Sequence, residues 1–264
     1  MSTSPRVVTR TPLPAAVGQA LTLAWRGLVQ VRHDPMELAA VSLQPVVLLL
    51  LFTYVLGGAV AGTPQQYLAF GVPGLIVQTT LFATVRTGVG LNFDLSKGIY
   101  DRFRSLPIAQ SAPLAGRILT ESAKHAWSIV LLLGVGTLLG FRIRTGIVPV
   151  LAVFVLVLVF CAAVAWLAVL VGVLASEPEK VMAFGYLVVL PLTFASNVFV
   201  PATTMPAWLR QFVDLNPVTH LATAIRGLLV GGPVTRPALA VLLWAVGITA
   251  VFAPLAVRAL RRHR

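Results

Sequence analysis

The sequence predicts an all-α, polytopic membrane protein, and three observations carry that reading. Hydrophobic residues make up 58% of the 264 and charged residues only 11%, with a mean hydropathy of +0.91. A water-soluble domain carries about 25% charged residues, so the natural solvent of this chain is lipid. The apolar residues fall in long runs without the two-residue alternation of barrel strands, so each run reads as a helix. Between the last two runs lies a segment that is amphipathic and too short to cross.

In chain order, residues 15–34 come first. Val17, Leu21, Trp25 and Leu28 share one helical face, and Gln19, Thr22, Arg26 and Gln30 occupy the others. That pattern is an amphipathic helix, with Trp25 and Arg26 suited to the headgroup layer. Pro35 breaks it before the first span. It reads either as a membrane anchor or as a mechanical elbow touching a cytoplasmic partner.

Six apolar runs follow, at 38–58, 67–90, 123–141, 147–175, 181–200 and 237–257. Each approaches the ~20 residues that a bilayer crossing needs. The loops between them place fourteen Lys and Arg residues on one side and five on the other. The richer side is cytoplasmic, which puts both termini inside. Arg86 lies in the second span near its cytoplasmic end, where a long side chain snorkels. Cys161 sits within an apolar run and has no second cysteine to pair with. The first fourteen residues have no apolar signal-peptide core, so the first span is expected to act as the insertion signal.

Three segments outside the spans carry polar detail. The cytoplasmic loop 91–117 contains GIYDRFRSLP, a short helix bracketed by Gly98 and Pro107. Ile99, Phe103 and Leu106 lie on one face, with Tyr100, Asp101, Arg102 and Arg104 around it. A compact apolar face ringed by charge suits a groove on another protein; the plainer reading is a solvated turn. The SEPEK turn at 176–180 reads as a solvated turn or a second cytoplasmic contact. The segment 201–236 holds two short amphipathic helices split by Asn216-Pro217. Trp208, Leu209, Phe212 and Val213 are apolar in the first. Leu221, Ala224, Ile225 and Leu228 form a stripe in the second, with His220 and Arg226 its titratable groups.

DRFRSLP in the first cytoplasmic loop and FVP…MPAWLRQFVDLNPVTHLATAIRGLLVGG before the last span closely resemble the permease subunits of type-2 ABC exporters. The nearest branch is the bacterial daunorubicin-resistance permeases, and the resemblance covers almost the whole chain as a single transmembrane domain, 1–264. It implies a permease of the bacterial inner membrane that pairs with a second copy, usually as a homodimer, and binds two separate P-loop ATP-binding subunits. ATP and Mg would sit on those partners, and this chain would bind no cofactor of its own. The resemblance makes 98–106 the coupling helix, with Ile99, Tyr100, Asp101, Arg102, Phe103, Arg104 and Leu106 meeting the ATPase. It makes 15–34 the elbow helix, with Trp25 and Arg26. It makes 201–236 a re-entrant exit gate carrying Trp208, Phe212, Asn216, Pro217, His220 and Arg226. The pathway would run between two permease copies, lined by spans one, two and five.

Other functions fare worse on the residues. The net charge of +12 sits at span ends, where it suits anionic lipid, and no soluble basic domain exists to hold nucleic acid. No G-x-x-x-x-G-K-[ST] occurs, so transport energy must come from a partner or an ion gradient. An intramembrane lipid-modifying enzyme needs clustered carboxylates or a His/Asp set; the eight acidic residues lie near span ends or in loops. A proton-driven transporter uses Asp, Glu or His deep in a span, and none lies there. The apolar spans suit a hydrophobic or amphiphilic cargo such as a drug, an antibiotic or a lipid-linked molecule.

Overall fold

The computed structural model describes residues 13–98 and 112–262. Helix α1 covers Leu13–His33, α2 Pro35–Ala61, α3 Pro64–Ser96, α4 Ala112–Leu138 and α5 Ile147–Leu174. Helix α6 covers Pro178–Phe194, a 3-10 turn Ala202–Thr204, α7 Ala207–Leu215, α8 Pro217–Val230 and α9 Thr235–Arg262. Ile99, Tyr100, Asp101, Arg102, Phe103, Arg104 and Leu106 lie outside the described residues.

Several helix starts follow one local rule. A short polar residue in extended conformation precedes a proline, whose missing N–H belongs to a donor that the helix leaves unpaired anyway. Asp34 accepts from the backbone N–H of Met36 and Glu37 at 3.0 and 3.2 Å and starts α2 at Pro35. Thr63 accepts from Gln66 N at 3.2 Å and starts α3 at Pro64. Asn216 accepts from Val218 N at 2.9 Å and starts α8 at Pro217.

Among the described residues, five helices are long and apolar enough to cross a membrane: α2, α3, α4, α5 and α9. The run at 181–200 departs from expectation. Its helix, α6, has 17 residues and stops at Phe194, giving a length of about 26 Å against a hydrocarbon core of about 30 Å. Pro191 supplies no N–H to the last turn, and Ser196 turns the chain by donating to Thr193 O at 2.5 Å and accepting from Val198 N at 3.2 Å. The third run also shifts: its helix begins at Ala112 and ends at Leu138, earlier at both ends than 123–141. A turn over 139–140 follows, and the next segment is pinned to the end of α8. Arg144 N donates to Leu229 O at 2.9 Å, and Thr145 Oγ1 to Leu228 O at 2.5 Å.

Helix α3 is the hub, with 78% of its apolar window buried against 17–33% for the other four crossing helices. It packs on α2, α4, α5, α6 and α8, while α9 lies along α5 and α1 along α4. The core joins Leu49, Leu75, Ile76, Ile129, Phe160 and Ile225 from these elements. Close crossings use small residues, as expected where lipid supplies no hydrophobic drive and van der Waals packing must decide. A Cβ on Gly88 would come within 2.8 Å of Ala168 O, and one on Gly172 within 2.7 Å of Gly88 O. Beside that crossing, Asn92 Nδ2 donates to Gly172 O at 2.8 Å and Ala175 O at 2.7 Å, closing the end of α5.

The amphipathic helix is present, but its packing face differs from the apolar stripe. Val17, Leu21 and Trp25 are exposed, whereas Ala20, Ala24 and Val31 are buried. Small residues let the backbones of α1 and α4 approach: a Cβ on Gly116 would sit 2.7 Å from Leu23 Cβ, and one on Gly27 2.6 Å from Thr120 Oγ1. The large apolar residues are left free for lipid, with Arg26 exposed beside them.

The α3–α5 crossing generates the first prediction. Gly88→Leu or Gly172→Leu forces the two helices apart and costs about 1–3 kcal/mol, the usual penalty of overpacking. The thermal midpoint and monodisperse yield in detergent should fall. Gly134→Ala, where an added Cβ meets nothing within 4 Å, should leave both unchanged.

Candidate functional site

Polar side chains gather at two ends of the bundle. At the first, α1, the start of α2, the end of α3 and the start of α4 converge. Lys124 on α4 donates to Glu37 on α2 at 2.7 Å and pairs with Glu121, one turn away, at 2.6 Å. Arg117 on α4 pairs with Asp94 on α3 and donates to Thr87 O at 3.3 Å. Gly90 permits this: a Cβ there would lie 2.3 Å from Arg117 Nη2. These pairs are partly buried, so solvent screens them less than surface pairs. They tie α2 to α4 and α4 to α3 at one level.

Two cavities open beside this cluster. One, of 580 Å³, runs between α2, α3 and α4 from Asp34 and Glu37 to Leu48, Gln78 and Ser128. The other, of 660 Å³, lies under α1 and shares Glu37, Gly90, Arg117, Glu121 and Lys124 with the first. Arg86 is exposed, lines the first cavity and donates to Gln44 Oε1 at 3.4 Å. Trp127 Nε1 donates to Ser42 Oγ at 3.0 Å and bridges α4 to α2. This constellation escaped sequence reasoning. The Glu121–Lys124 spacing is legible as a helical pair, but nothing in the sequence brings Glu37 to Lys124 across 87 positions.

At the opposite end, α7 and α8 meet the end of α6. Asn216 is 3% exposed. Its Nδ2 donates to Leu192 O at 2.7 Å and Ala195 O at 2.8 Å while its Oδ1 caps α8. One side chain thus joins the α7–α8 corner to the end of α6. Arg226 on α8 donates to Asn197 O at 3.2 Å and Phe70 O at 3.4 Å, and its guanidinium lies 3.9 Å from the Phe70 ring centroid. Tyr67 on α3 donates to Phe199 O at 3.2 Å. Phe199 stacks on Phe52 of α2 at 4.5 Å and meets Phe194 of α6 at 5.2 Å. A Cβ on Gly74 would come within 2.1 Å of Val198 O, so α3 also touches this turn.

Of the residues expected at this end, the structure unites Asn216, Pro217 and Arg226 against α6 and α3. It leaves Trp208 and Phe212 exposed on α7, at 73% and 47%, and His220 half-buried on α8. Arg210, not singled out from sequence, braces the 3-10 turn by donating to the carbonyls of Ala202, Thr203 and Met205. Trp25 and Arg26 stand exposed on α1. Among the described residues, no group of three or more His, Cys, Asp or Glu could hold a metal ion. The SEPEK turn satisfies itself, with Lys180 Nζ 2.8 Å from Ser176 Oγ and 3.5 Å from Glu177 Oε1.

The family model described as the ABC-2 type transporter matches residues 18–230. The chain is 42% identical to the daunorubicin resistance ABC transporter permease of Streptomyces coeruleorubidus over 246 residues, which is 93% of this chain and 87% of that protein. It is 27% identical to the probable doxorubicin resistance ABC transporter permease of Mycobacterium tuberculosis, over 91% of this chain and 88% of that one. A putative transport permease of Cyanophora paradoxa is 25% identical over 80% of this chain and 73% of its own length. The resemblance read from the two motifs therefore holds, and the helical bundle with its charged and clamped ends belongs to a membrane permease of the ABC-2 type transporter family.

Proposed function

We propose that this chain is the membrane half of an ATP-driven exporter that moves hydrophobic or amphiphilic compounds, drugs among them, out of a bacterial cell. The observation that carries this reading is the reach of α3. Its 33 residues run about 50 Å, and the Arg117–Asp94 pair near one end lies about 40 Å along it from the Tyr67–Phe199 contact near the other. A helix packed on five neighbours links both ends of the bundle physically, and in this reading it carries a displacement from one end to the other.

In this reading the charged end is cytoplasmic, with both chain termini, and the lysine and arginine bias of the loops supports that. Helix α6 acts as a sixth crossing element, completed by the turn that Asn216 closes. Two copies pair, and two ATP-binding subunits carrying ATP and Mg dock beneath them. The coupling helix at 98–106 seats Ile99, Phe103 and Leu106 in the ATPase groove, with Arg102 and Arg104 against acidic groups. Helix α1 is the elbow. Helices α7 and α8 re-enter from outside as the exit gate. Exposed apolar stripes support a pathway between copies: Leu43, Val47, Leu51 and Tyr54 on α2, and Leu187 and Leu190 on α6. The drug-resistance names of the relatives support the cargo class.

Two predictions follow from this geometry. In vesicles holding the permease with its ATP-binding subunit, Phe103→Ala combined with Arg104→Glu should cut ATP-driven export at least tenfold while membrane insertion stays intact. Undiminished export in that variant, or export that follows a proton gradient after ATP is depleted, would overturn the assignment. Asn216→Ala removes a helix cap worth about 1 kcal/mol together with both bonds to α6. It should slow export severalfold yet leave co-purification of the ATP-binding subunit unchanged; normal export would reduce α7 and α8 to a cap.

A further inference from the structure

The 580 Å³ cavity between α2, α3 and α4 has the size of a small-molecule site, about 300–1,000 Å³. Its lining holds three acids, Asp34, Glu37 and Glu121, and three cations, Arg86, Arg117 and Lys124, so as a whole it favours neither sign. The charges are separated along its length. At the mouth, Asp34 caps α2, and Arg117 is paired with Asp94 outside the lining. Glu37 and Glu121 share the single ammonium of Lys124, so negative charge is left over there. Arg86 sits deeper. It donates to Gln44 Oε1 at 3.4 Å, and Gln44 lies about 10 Å beyond Glu37 along α2. Among the described residues Arg86 has no carboxylate within 4.0 Å.

Arg86 is exposed on a crossing helix, about 15 Å from the end of that helix at Ser96. A guanidinium in that position calls for an anion, and the neutral amide of Gln44 does not supply one. Ser128 stands at the same level, because Trp127 beside it bonds Ser42, and its Oγ is buried without a partner. A free cation and a free hydroxyl thus line the cavity at one level, from α3 and α4. Leu48 and Phe82 add an apolar wall. From the mouth inward the order is carboxylates, guanidinium with hydroxyl, apolar wall. A phospholipid with an ethanolamine head presents the complementary order of ammonium, phosphate and acyl chain. Hydrogen-bonded at both ends, an ethanolamine phosphate spans about the 10 Å that separate Glu37 from Gln44.

We propose that this cavity binds the headgroup of an ethanolamine phospholipid from the surrounding leaflet, one in each subunit. Arg86 and Ser128 donate to the phosphate. Glu37 and Glu121 accept from the primary ammonium beside Lys124, and Leu48 and Phe82 flank an acyl chain. Other headgroups match less of the lining. A choline head carries no N–H for the carboxylates, and a glycerol head brings them no cation. A serine head adds a carboxylate that Glu37 and Glu121 repel. The ligand is a component of the membrane and not an exported compound, so the site stands apart from the export reading.

The test uses the permease purified with its ATP-binding subunit in non-ionic detergent and incubated with equal amounts of dioleoyl ethanolamine, choline and glycerol phospholipids. Native mass spectrometry then counts the lipids retained by each permease. The ethanolamine lipid should be retained at least fivefold over each of the others. Arg86→Gln should abolish this selective retention, and Arg86→Lys, which keeps the charge, should preserve it. Glu37→Gln with Glu121→Gln should remove the preference for ethanolamine over choline, since the phosphate contacts remain. Equal retention of the three lipids by the unaltered complex overturns the proposal without any variant having to fold. So does a preference for the glycerol lipid, which would make Arg86 a simple anion site, and so does an ethanolamine preference that survives Arg86→Gln. Displacement by an equal concentration of soluble glycerophosphoethanolamine would assign the site to a free phosphate ester and overturn the lipid. No step of the measurement needs ATP, so a failure of ATP-driven export would sink the export reading and leave this site standing.

Discussion

A side-chain amide closed over the open carbonyls of a neighbouring helix is the interaction on which both ends of this bundle depend. The last turn of any helix leaves carbonyls without partners. In water the solvent satisfies them, but at membrane depth an unmet carbonyl costs several kcal/mol. Asn92 meets this demand for α5 by binding Gly172 O and Ala175 O. Asn216 meets it for α6 by binding Leu192 O and Ala195 O. Each amide comes from another helix, so satisfying the helix end also fixes one element on the next. Asn92 docks α5 on α3, and Asn216 docks the α7–α8 corner on α6.

These two closures explain why the packing between them can be so plain. With its ends fixed, α3 needs only close-fitting small residues to hold its neighbours, and Gly74 and Gly88 supply two of the contacts. The stripes of large apolar residues on α2, α6 and α9 then remain unpartnered within the chain, where lipid or a second copy meets them. A permease that changes shape benefits from this division: directional polar contacts fix the joints, and non-directional apolar faces slide.

Much of this was legible in the sequence, and the failures share a cause. Asp34-Pro35, Thr63-Pro64 and Asn216-Pro217 mark their helix starts because capping is a local interaction. The apolar runs mark five crossing helices because length and hydropathy are local too. The early end of α6 was not legible, because a proline near a helix end is decisive only when another element takes the freed carbonyls; here that element begins 22 residues after Phe194. The face by which α1 packs on α4 was not legible, because it is made of small residues, Ala20, Ala24 and Gly27, and not of the Val17, Leu21 and Trp25 stripe that marked the helix as amphipathic. The shared ammonium of Lys124 needed three helices to be in place before Glu37 and Glu121 became neighbours.

The two ends differ in a way that bears on direction. One has a charged mouth, unpaired acceptors and 580 Å³ of space. The other is close-packed, with Phe199 stacked on Phe52 and tilted against Phe194, and with Tyr67 holding the backbone of Phe199. To leave past the second, a cargo must part aromatic faces that cohere by dispersion and ring electrostatics, at about 0.5–1.5 kcal/mol per pair beyond their burial. In the export reading proposed above, this shape is open to loading and shut to release. In that reading the work supplied by the ATP-binding subunits acts on the aromatic end, where the Asn216 side chain joins the end of α6 to the α7–α8 corner.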